Sequence, residues 1–465
     1  MKTSIKNQLL AVLTLLGATG PAMAELGDYG FWRTLGNLVN PPAADNPVTA
    51  AQRQGDYPLL ANPPGFNDGF SPGNYYAWQT IPLAPETGAV CGNGSEYKFF
   101  VNRVPNTSNT IIYLEGGGAC WDYESCSGQT GIRGARNPDG IPDDYMSLAN
   151  PSASLVSPFV VRLNPLTSVK TQNWNMVYIP YCTGDVYSGD KVAVYEDPEG
   201  EAEPLVWHHN GLRNTRAAIS WVKDNLQRPK QLLTTGCSAG GLGSLTNYHP
   251  TRRDMEPNRG YMINDSGPAF SAPSGADPEA YPSVLLQSFI RDAWGLDQPN
   301  GPLEYLSDGL PLMNLNDLGS LYTALSAELP NDRMGHTHFW QDLNYSSYSY
   351  ERFYPEIENA PDQATKEALI HERWYTDTER LKGTLSNLNN FGYYLPWFRD
   401  VNESHCTTII EFANSDIQEA GLELDDFVAN VLNGSGAVMQ ASETDQQADY
   451  NKPFNPLYWA LDQLL

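Results

Sequence analysis

Short apolar runs recur along the chain and are typical of buried strands. Each run is six to eight residues long, which is well short of the ~20 apolar residues that a membrane-spanning helix needs. The runs are TIIYLE (110–115), NMVYIPYC (175–182), KQLLTTG (230–236), GYMIND (260–265) and TTIIEF (407–412). They predict the strands of a buried sheet.

Helical patterns lie between some of these runs. The segment GLRNTRAAISWVKDNL (211–226) repeats apolar residues at helical spacing, and LELDDFVANVL (422–432) does the same. The broad apolar face of the first helix contains Leu212, Ala217, Ile219, Trp221, Val222 and Leu226. Strands that alternate with helices predict an α/β fold with a mostly parallel sheet flanked by helices.

The first 24 residues have the pattern of a secretory signal peptide. Lys2 and Lys6 give a positive start, residues 9–17 are mostly apolar, and Ala22-Met23-Ala24 is a small-x-small cleavage site. A short buried helix is the alternative. We expect export to the periplasm or the medium, with cleavage after Ala24.

The remaining residues, 25–465, are predicted to form a single enlarged domain, because no Ser/Gly linker or internal repeat divides them. Residues 25–85 are rich in Pro, Gly, Asn and aromatics, which predicts an irregular N-terminal wrap. Residues 268–335 and 345–400 mix helical and loop patterns with many Tyr and Trp. They predict cap-like insertions over the sheet, and ordinary surface structure is the alternative.

Charge and cysteine content narrow the function classes. The chain has 28 basic and 54 acidic residues, a net charge of −26. Nucleic acid and anionic membranes repel such a protein, so neither is an expected partner. Six cysteines in an exported chain permit disulfides, but their spacing matches no zinc motif, and fifteen connectivities remain possible.

The segment LLTTGCSAGGLGSL (232–245) carries the first candidate for chemistry. Within it, Gly236-Cys237-Ser238-Ala239-Gly240 fits the G-x-S-x-G pattern at the end of an apolar run and before a small-residue helix start. This is the setting of a nucleophile elbow, in which Ser238 attacks and the Ala239 N–H faces the developing oxyanion. Close packing of a helix on a sheet is the alternative.

A glycine-rich loop supplies the second candidate. YLEGGGAC (113–120) places Gly116, Gly117 and Gly118 directly after a predicted strand. This arrangement is similar to the oxyanion loop of esterases, in which bare backbone lets N–H groups approach the substrate. The alternative is a tight turn.

The general base must be a histidine, and five histidines follow Ser238: His249, His336, His338, His371 and His405. His371 lies in a charged helical pattern, where we expect it to be solvated, and His336 and His338 flank a predicted loop. His405 in ESHCTTII is our candidate. If His405 touches Ser238, their neighbours Cys237 and Cys406 come near disulfide distance; two unrelated buried cysteines are the alternative. The CS…HC pattern resembles that of some feruloyl esterases and tannases.

Several segments together resemble the pectin acetylesterase/Notum carboxylesterases. They are VCGNGSEYKFFV, YLEGGGACWDYESC, NWNMVYIPYCTGDVYSGD (173–190), GCSAGGLGSL, INDSGPAF (263–270) and SHCTTII, in the family order. The resemblance implies an α/β-hydrolase fold and a Ser-Asp-His triad, and Ser238 and His405 carry over directly.

The acid of the implied triad lies between these two residues. Asp342 in HTHFWQDLNYSSYS (336–349) is our choice, and Asp292 in FIRDAWG is the alternative. Asp265, in NDSG, follows the nucleophile too closely to be the acid, so we expect a supporting role for it. The resemblance also implies the disulfides Cys91–Cys182, Cys120–Cys126 and Cys237–Cys406.

The resulting hypothesis is a serine carboxylesterase that forms an acyl-enzyme. Gly117, Gly118 and Ala239 would form the oxyanion hole, and Trp121 a wall of the substrate pocket. No metal or organic cofactor is required. NPDGIPDD (137–144) is Asp-rich but lacks the EF-hand spacing of a calcium loop, and a solvated loop is the preferred reading.

The expected substrate is a small acyl ester or an acetylated polysaccharide, and acetyl is the expected acyl group. We expect a monomer without a membrane span. Two other functions stay open. One is a carbohydrate-binding protein that kept the fold and lost catalysis, and the other is a serine peptidase or another acyl hydrolase on the same fold.

Overall fold

The computed structural model describes residues 74–444, apart from residues 131–133, 148–149, 151–152, 154–155, 165, 400 and 414. The predicted signal peptide, its cleavage site and most of the predicted N-terminal wrap lie outside the described residues.

Two sheets are present in the described part of the chain. The larger has nine strands in the order β1-β2-β4-β3-β7-β8-β9-β10-β11, and β5 and β6 pair separately. The strands are β1 (Trp78–Pro82), β2 (Lys98–Asn102), β3 (Thr110–Leu114), β4 (Asn175–Ile179), β5 (Lys191–Tyr195), β6 (Leu205–His209), β7 (Gln231–Cys237), β8 (Arg259–Asp265), β9 (Arg333–Thr337), β10 (Phe391–Leu395) and β11 (Gln440–Ser442).

Ten α-helices connect or flank these strands in the described residues. They are α1 (Tyr123–Cys126), α2 (Gly211–Asn225), α3 (Ala239–Met255), α4 (Val284–Ala293), α5 (Pro302–Ser307), α6 (Leu321–Glu328), α7 (Leu343–Tyr350), α8 (Pro355–Glu358), α9 (Gln363–Leu385) and α10 (Leu424–Asn433). The two helices that the sequence pattern predicts correspond to α2 and α10.

The large sheet is mixed and mostly parallel. Strand β2 runs antiparallel to both β1 and β4, and every other pair of neighbours is parallel. All residues of β3 and β4 are buried, as expected for strands covered on both faces. The predicted α/β-hydrolase-like fold with a mostly parallel sheet is confirmed.

Parallel pairing brings the carboxyl ends of several strands to one edge. Leu114 of β3 pairs with Gly236 of β7, and Asp265 of β8 pairs with both Cys237 and Thr337. The residues that follow these strands therefore meet at the edge where α/β proteins bind ligands. Three of the candidate segments begin there: the Gly116–Gly118 loop, the Ser238 turn and the NDSG segment.

The structure corrects one predicted strand. TTIIEF (407–412) has no strand pairing. Thr407 and Thr408 donate their backbone N–H groups to the side chain of Asp265 rather than to a neighbouring strand. Ile409 and Ile410 pack with Cys237 and Cys406 in a small cluster. The apolar run reflects burial around this cluster and not a sheet.

Three strands lie within the segments that were predicted as a wrap or as insertions. Residues 78–82 of the predicted wrap form β1, and β9 and β10 fall within or overlap the predicted insertions. Strand β9 has the sequence RMGHT and is buried throughout. Its polar side chains have hydrogen-bond partners inside the protein; for example, the Arg333 guanidinium donates to backbone carbonyls of α10. A search for apolar runs therefore could not identify β9 as a strand.

Candidate active site

Ser238 occupies a sharp turn between β7 and α3. Its backbone has φ 57° and ψ −122°, a conformation that non-glycine residues rarely adopt and that clusters at functional sites. The turn is tight, because a Cβ on Gly236 or Gly240 would lie only 2.2 or 2.0 Å from the Leu114 carbonyl oxygen. The Ser238 side chain is half-buried and makes no capping hydrogen bond to α3. It is therefore free for other contacts.

The glycine-rich loop after β3 lies directly against this turn. A Cβ on Gly116 would come within 2.7 Å of the Cys237 carbonyl oxygen and 3.4 Å of the Ser238 Cβ. Gly117 and Gly118 have φ values of 143° and 62°, which favour glycine. The structure thus brings the predicted oxyanion loop beside the predicted nucleophile.

The three predicted oxyanion donors are available for a ligand. Ala239 is the first residue of α3, where backbone N–H groups have no intrahelical acceptor. Within the described part of the chain, no hydrogen bond is formed by the N–H groups of Gly117, Gly118 or Ala239. The N-terminus of α3 adds a favourable potential for negative charge.

The glycine-rich loop is supported by a buried carboxylate, Glu115, which we did not select from the sequence. Glu115 is 2% exposed and follows β3 directly. It pairs with the Arg136 Nε at 2.7 Å, and it accepts hydrogen bonds from the Tyr145 hydroxyl at 2.6 Å and the Tyr181 N–H at 3.0 Å. Arg136 in turn donates its backbone N–H to the Gly117 carbonyl at 3.2 Å. A charged residue inside the apolar run YLEGGG was the available signal.

His405 and Asp342 are in direct contact. The His405 Nδ1 lies 2.8 Å from the Asp342 Oδ2, and both residues are almost fully buried. The other oxygen of Asp342 accepts the Tyr345 N–H at 2.9 Å and caps α7. Two fixed partners thus set the orientation of the carboxylate, and a neutral His405 donates its Nδ1 proton to it.

The alternative acid is remote from this pair. Asp292, near the end of α4, is exposed and lies 3.5 Å from the Lys191 Nζ. The Asp292 side chain is 95% exposed, and the Asp292 carbonyl oxygen accepts the Lys191 Nζ at 2.7 Å. Asp342, and not Asp292, is the carboxylate that the structure brings to His405.

The environment shifts the pKa of both members of the pair. Burial lowers the pKa of His405, but the Asp342 carboxylate, with smaller contributions from Asp265 and Glu403, outweighs burial and leaves the pKa raised. Burial also raises the pKa of Asp342, against the opposing effect of His405 and of the Tyr345 N–H. His405 is therefore poised to accept a proton and to hold it as an ion pair.

A disulfide links the segment of the histidine to the turn of the serine. Cys237 and Cys406 are bonded, with their Cα atoms 5.7 Å apart. A ring nitrogen of His405 and the two Sγ atoms all lie within 4.8 Å of one another. The imidazole is thus packed against the residue that precedes Ser238. The other disulfides, Cys91–Cys182 and Cys120–Cys126, are also present.

The remaining candidate histidines belong to other parts of the fold. His336 lies within β9 and His338 directly follows it, so Thr337, the one residue between them, belongs to a strand and not to the predicted loop. The two rings hydrogen-bond to each other at 2.7 Å in a fully buried position. His249 lies in α3 and His371 in α9, and His371 is half-buried where we expected it to be solvated.

Two cavities are lined by neighbours of the site residues, and neither lining includes Ser238, Asp342 or His405 themselves. The smaller, about 60 Å³, has mainly apolar walls that include Leu242 and Tyr345. The Leu242 N–H bonds the Ser238 carbonyl at 3.0 Å, and the Tyr345 ring lies 6.3 Å from the His405 ring. The cavity is therefore close behind the Ser238 turn.

The larger cavity is an open groove of about 850 Å³ lined by Trp121, Phe289, Phe353, Lys191 and Arg352, among others. Trp121 is 7% exposed, and its ring packs on Phe289 with centroids 5.4 Å apart. The Arg352 guanidinium sits 5.0 Å above the same ring. Trp121 thus forms part of the groove wall beside the glycine loop.

Metal-binding geometry is limited to two groups in the described residues, and both contain disulfide-bonded cysteines. In the Asp-rich segment 137–144, Asn137 is buried and donates to the Tyr181 carbonyl, and Asp143 pairs with Lys98 at 2.6 Å.

Among the described helices, none has the length and apolar character needed to cross a membrane.

Replacing both Cys237 and Cys406 by serine is expected to lower the free energy of unfolding by about 5 kcal/mol, because the bond closes a loop of 169 residues. The matched control replaces Cys120 and Cys126, whose separation is 6 residues and whose loss should cost about 2 kcal/mol. Guanidinium unfolding at equal protein concentration measures both. Equal losses in the two variants would contradict the loop-length argument.

Comparisons with known proteins support the resemblance found in the sequence. The pectinacetylesterase family model matches residues 73–273. Pectin acetylesterase 4 of Arabidopsis thaliana is 30% identical over 165 residues, which is 35% of this chain and 36% of that protein. The palmitoleoyl-protein carboxylesterase Notum of Drosophila melanogaster is 26% identical over 217 residues, covering 46% of this chain and 30% of the relative.

A third relative, pectin acetylesterase 5 of Arabidopsis thaliana, is 30% identical over 238 residues and 49% of each chain. The chain thus spans about a third to a half of the length of these curated relatives. The solved structure of the Wnt deacylase Notum from Drosophila matches with a TM-score of 0.51 and 20% identity, over 80% of this chain and 99% of that one. This likeness establishes the shared fold.

Proposed function

Because this chain is similar to the pectin acetylesterases and to Notum, we propose that it belongs to their family and is an exported serine carboxylesterase acting on short acyl esters. The favoured acyl group is acetyl, and the favoured alcohol is a sugar of a polysaccharide. The observation that carries the proposal is the 2.8 Å contact between His405 and Asp342. The loop that contains His405 is joined to the Ser238 turn by the Cys237–Cys406 disulfide.

Acylation begins with a proton transfer from Ser238 to His405. The serine oxygen attacks the ester carbonyl carbon, and the carbonyl oxygen becomes an oxyanion that accepts hydrogen bonds from the backbone N–H groups of Gly117, Gly118 and Ala239. Each such donor is worth about 3 kcal/mol of barrier. The bond from carbon to the alcohol oxygen then breaks, and His405 returns its proton to the leaving alcohol.

Deacylation repeats these steps with water. His405 removes a proton from water, the hydroxide attacks the acyl-serine, and the same N–H groups accommodate the second oxyanion. Collapse releases the carboxylic acid and restores the Ser238 hydroxyl. Throughout, Asp342 fixes the tautomer of His405 and stabilises its cationic form. All steps are proton or acyl transfers between these groups and water.

The small cavity supports a short acyl group. A cavity of about 15 Å³ holds one water molecule, so the 60 Å³ behind the turn accommodates a group of a few heavy atoms. Leu242, Leu286 and Ile290 contribute apolar walls. An acetyl methyl suits this space, and a long fatty chain would require the walls to move.

The open groove supports a sugar as the alcohol. Phe289, which is 37% exposed, supplies aromatic surface beside the nearly buried Trp121, and Lys191 and Arg352 supply hydrogen-bond donors in the same wall. Flat aromatic surface with polar groups beside it suits carbohydrate rings. We place the polysaccharide chain in this groove, with its acetyl group directed past the glycine loop to Ser238.

Export and a monomeric state complete the proposal. The signal-peptide pattern of residues 1–24 and three disulfides fit an oxidising compartment. One chain supplies the serine, the histidine, the carboxylate and the oxyanion loop, so catalysis requires no second copy.

The test of this function is a series of p-nitrophenyl esters from acetate to palmitate, with release of acetate from an acetylated polysaccharide as a second assay. We expect kcat/KM to fall at least about tenfold between the acetyl and octanoyl esters. Activity that rises with chain length would contradict the acetyl preference. A pure protein without activity on any ester would overturn the esterase proposal itself.

A matched variant tests whether the small cavity sets acyl length. Ile290→Ala removes apolar wall without touching Ser238, His405 or the glycine loop. We expect the ratio of butyryl to acetyl turnover to rise in this variant, whereas the ratio should not change if the acyl group lies elsewhere.

A further inference from the structure

Asp265 touches both halves of the proposed catalytic apparatus. We propose that Asp265 is a positioning residue that holds the His405 loop in register with the Ser238 turn, a role that rests on the proposed function. Asp265 ends β8, pairs with Cys237 in the sheet and is fully buried. It does not contact the reacting atoms, so its effect is exerted through other residues.

The carboxylate of Asp265 binds the segment directly after His405-Cys406. Its Oδ1 accepts the Thr407 N–H at 2.8 Å and the Thr407 hydroxyl at 3.1 Å. Its Oδ2 accepts the Thr408 N–H at 2.8 Å and the Thr408 hydroxyl at 2.7 Å. Four donors from two adjacent residues thus converge on one buried charge, which is a strong and geometrically specific arrangement.

The main chain of Asp265 binds the other half. Its carbonyl oxygen accepts the Ser238 N–H at 2.9 Å. The next residue, Ser266, accepts the Cys406 N–H on its hydroxyl at 3.1 Å and donates its own N–H to the Thr337 carbonyl at 2.7 Å. The nucleophile turn and the histidine loop are therefore fastened to the same end of β8.

The histidine loop needs such external support because its backbone is strained. Positive φ values between 51° and 67° occur at Asn402, Glu403, Ser404, Cys406 and Ile410. Non-glycine residues rarely adopt this region, and a β-branched residue such as Ile410 is a genuine outlier there. No helix or strand holds residues 405–412. Contacts from outside the loop must then fix its conformation.

Asp265 also belongs to the charges that surround His405. Burial lowers the pKa of His405, and Asp342, Asp265 and Glu403 raise it. Tyr345 packs near the imidazole, and the Arg399 guanidinium donates to the Cys406 carbonyl. Removing the Asp265 charge should therefore lower the pKa of His405 as well as loosen its loop.

The test compares Asp265→Asn with the parent protein. An amide cannot accept all four donors, so the loop should shift. We expect kcat to fall about 100-fold, as small misplacements of catalytic groups can cause, with KM little changed. The acid limb of the pH profile of kcat/KM should move to lower pH. Thr408→Val, which removes one hydroxyl donor, should lower kcat by about two- to tenfold.

Asp332→Asn is the matched control. Asp332 is 2% exposed and accepts the Tyr248 hydroxyl, the Arg252 Nε and the Gly260 N–H at 2.9, 2.8 and 3.2 Å. It thus shares the burial and bonding of Asp265 but sits at the opposite end of β8. We expect the Asp332→Asn variant to be less stable than the parent. Circular dichroism gives its folded fraction, and the folded molecules should keep the parental kcat and pH profile.

Hydrogen exchange gives a readout that needs no activity. Amides of residues 402–412 should lose protection in Asp265→Asn and not in Asp332→Asn. Unchanged protection in that segment, or an Asp265→Asn enzyme within threefold of the parental kcat, would overturn the positioning role. If instead Ser238→Ala hydrolyses esters as fast as the parent, Ser238 is not the nucleophile and the proposed mechanism fails, and the exchange result still decides whether Asp265 holds the loop.

Discussion

Ser238→Ala is expected to lower kcat for p-nitrophenyl acetate by about six orders of magnitude, as loss of the nucleophile does in an acyl-transfer triad. Without the hydroxyl no acyl-enzyme forms, and only the oxyanion donors and the binding groove remain to assist direct attack by water. The substitution should leave the fold intact, because the Ser238 side chain does not cap α3. Stopped-flow and steady-state assays on the same preparation, with its melting curve, measure both effects.

Ser244→Ala serves as the matched control for this variant. Ser244 lies in the same helix, is fully buried and donates to the Gly241 carbonyl at 2.7 Å. Its loss should cost some stability but little activity. If Ser238→Ala keeps more than a tenth of the parental rate while its melting curve is unchanged, Ser238 is not the nucleophile.

The sequence predicts the structure correctly where a local conformation or environment requires a particular type of residue. A Cβ on Gly236 or Gly240 would collide with the Leu114 carbonyl oxygen, so the turn requires glycine at both positions and the G-x-S-x-G pattern predicts it. The runs of β3, β4, β7 and β8 are apolar because both faces of these strands are covered. Such strands and the helices α2 and α10 follow from sequence pattern alone.

The predictions from the apolar pattern failed where contacts with distant parts of the fold decide the local structure. Arg333 and His336 make β9 look like a polar segment, yet their side chains are bound by α10 and by His338 inside the protein. Conversely, the run TTIIEF looks like a strand, but its threonines bond to Asp265 and its isoleucines pack around a disulfide. The partners in α10 and at Asp265 lie 97 and 143 residues away along the chain, and a local sequence pattern carries no information about them.

In the candidate site too, some residues follow from local sequence patterns and others only from contacts in the folded protein. The nucleophile turn and the glycine loop are local patterns, and His405 could be chosen because Cys406 offers a check against Cys237. Asp342 could be proposed only through the family resemblance, since its assignment depends on which carboxylate meets the imidazole. The only local signal for Glu115 is its charge at the end of an apolar run, and the hydrogen bonds through which Glu115 and Asp265 act join residues far apart in the sequence.

Asp342→Asn is expected to lower kcat by about four orders of magnitude, the loss associated with the wrong histidine tautomer. In the parent, Asp342 Oδ2 accepts the Nδ1 proton of His405. An amide NH₂ in that position donates instead, so Nδ1 becomes the acceptor and Nε2 carries the proton. The lone pair needed to deprotonate Ser238 is then on the wrong side of the ring.

The fold should tolerate this change, because asparagine is as good an N-cap as aspartate. The Oδ1 atom keeps the hydrogen bond from the Tyr345 N–H that begins α7. Activity should therefore fall without a matching loss of stability. Asp342 also raises the pKa of His405, so its replacement lowers that pKa, and the acid limb of the residual pH profile should move to lower pH.

Asp362→Asn separates the catalytic effect from the capping effect. Asp362 caps α9 and accepts the Thr365 N–H at 2.8 Å, the same capping hydrogen bond that Asp342 makes on α7, and among the described residues it has no histidine partner. Its variant should keep the parental kcat and pH profile. An Asp342→Asn enzyme within tenfold of the parent, or a larger loss in Asp292→Asn than in Asp342→Asn, would show that Asp342 does not orient the base.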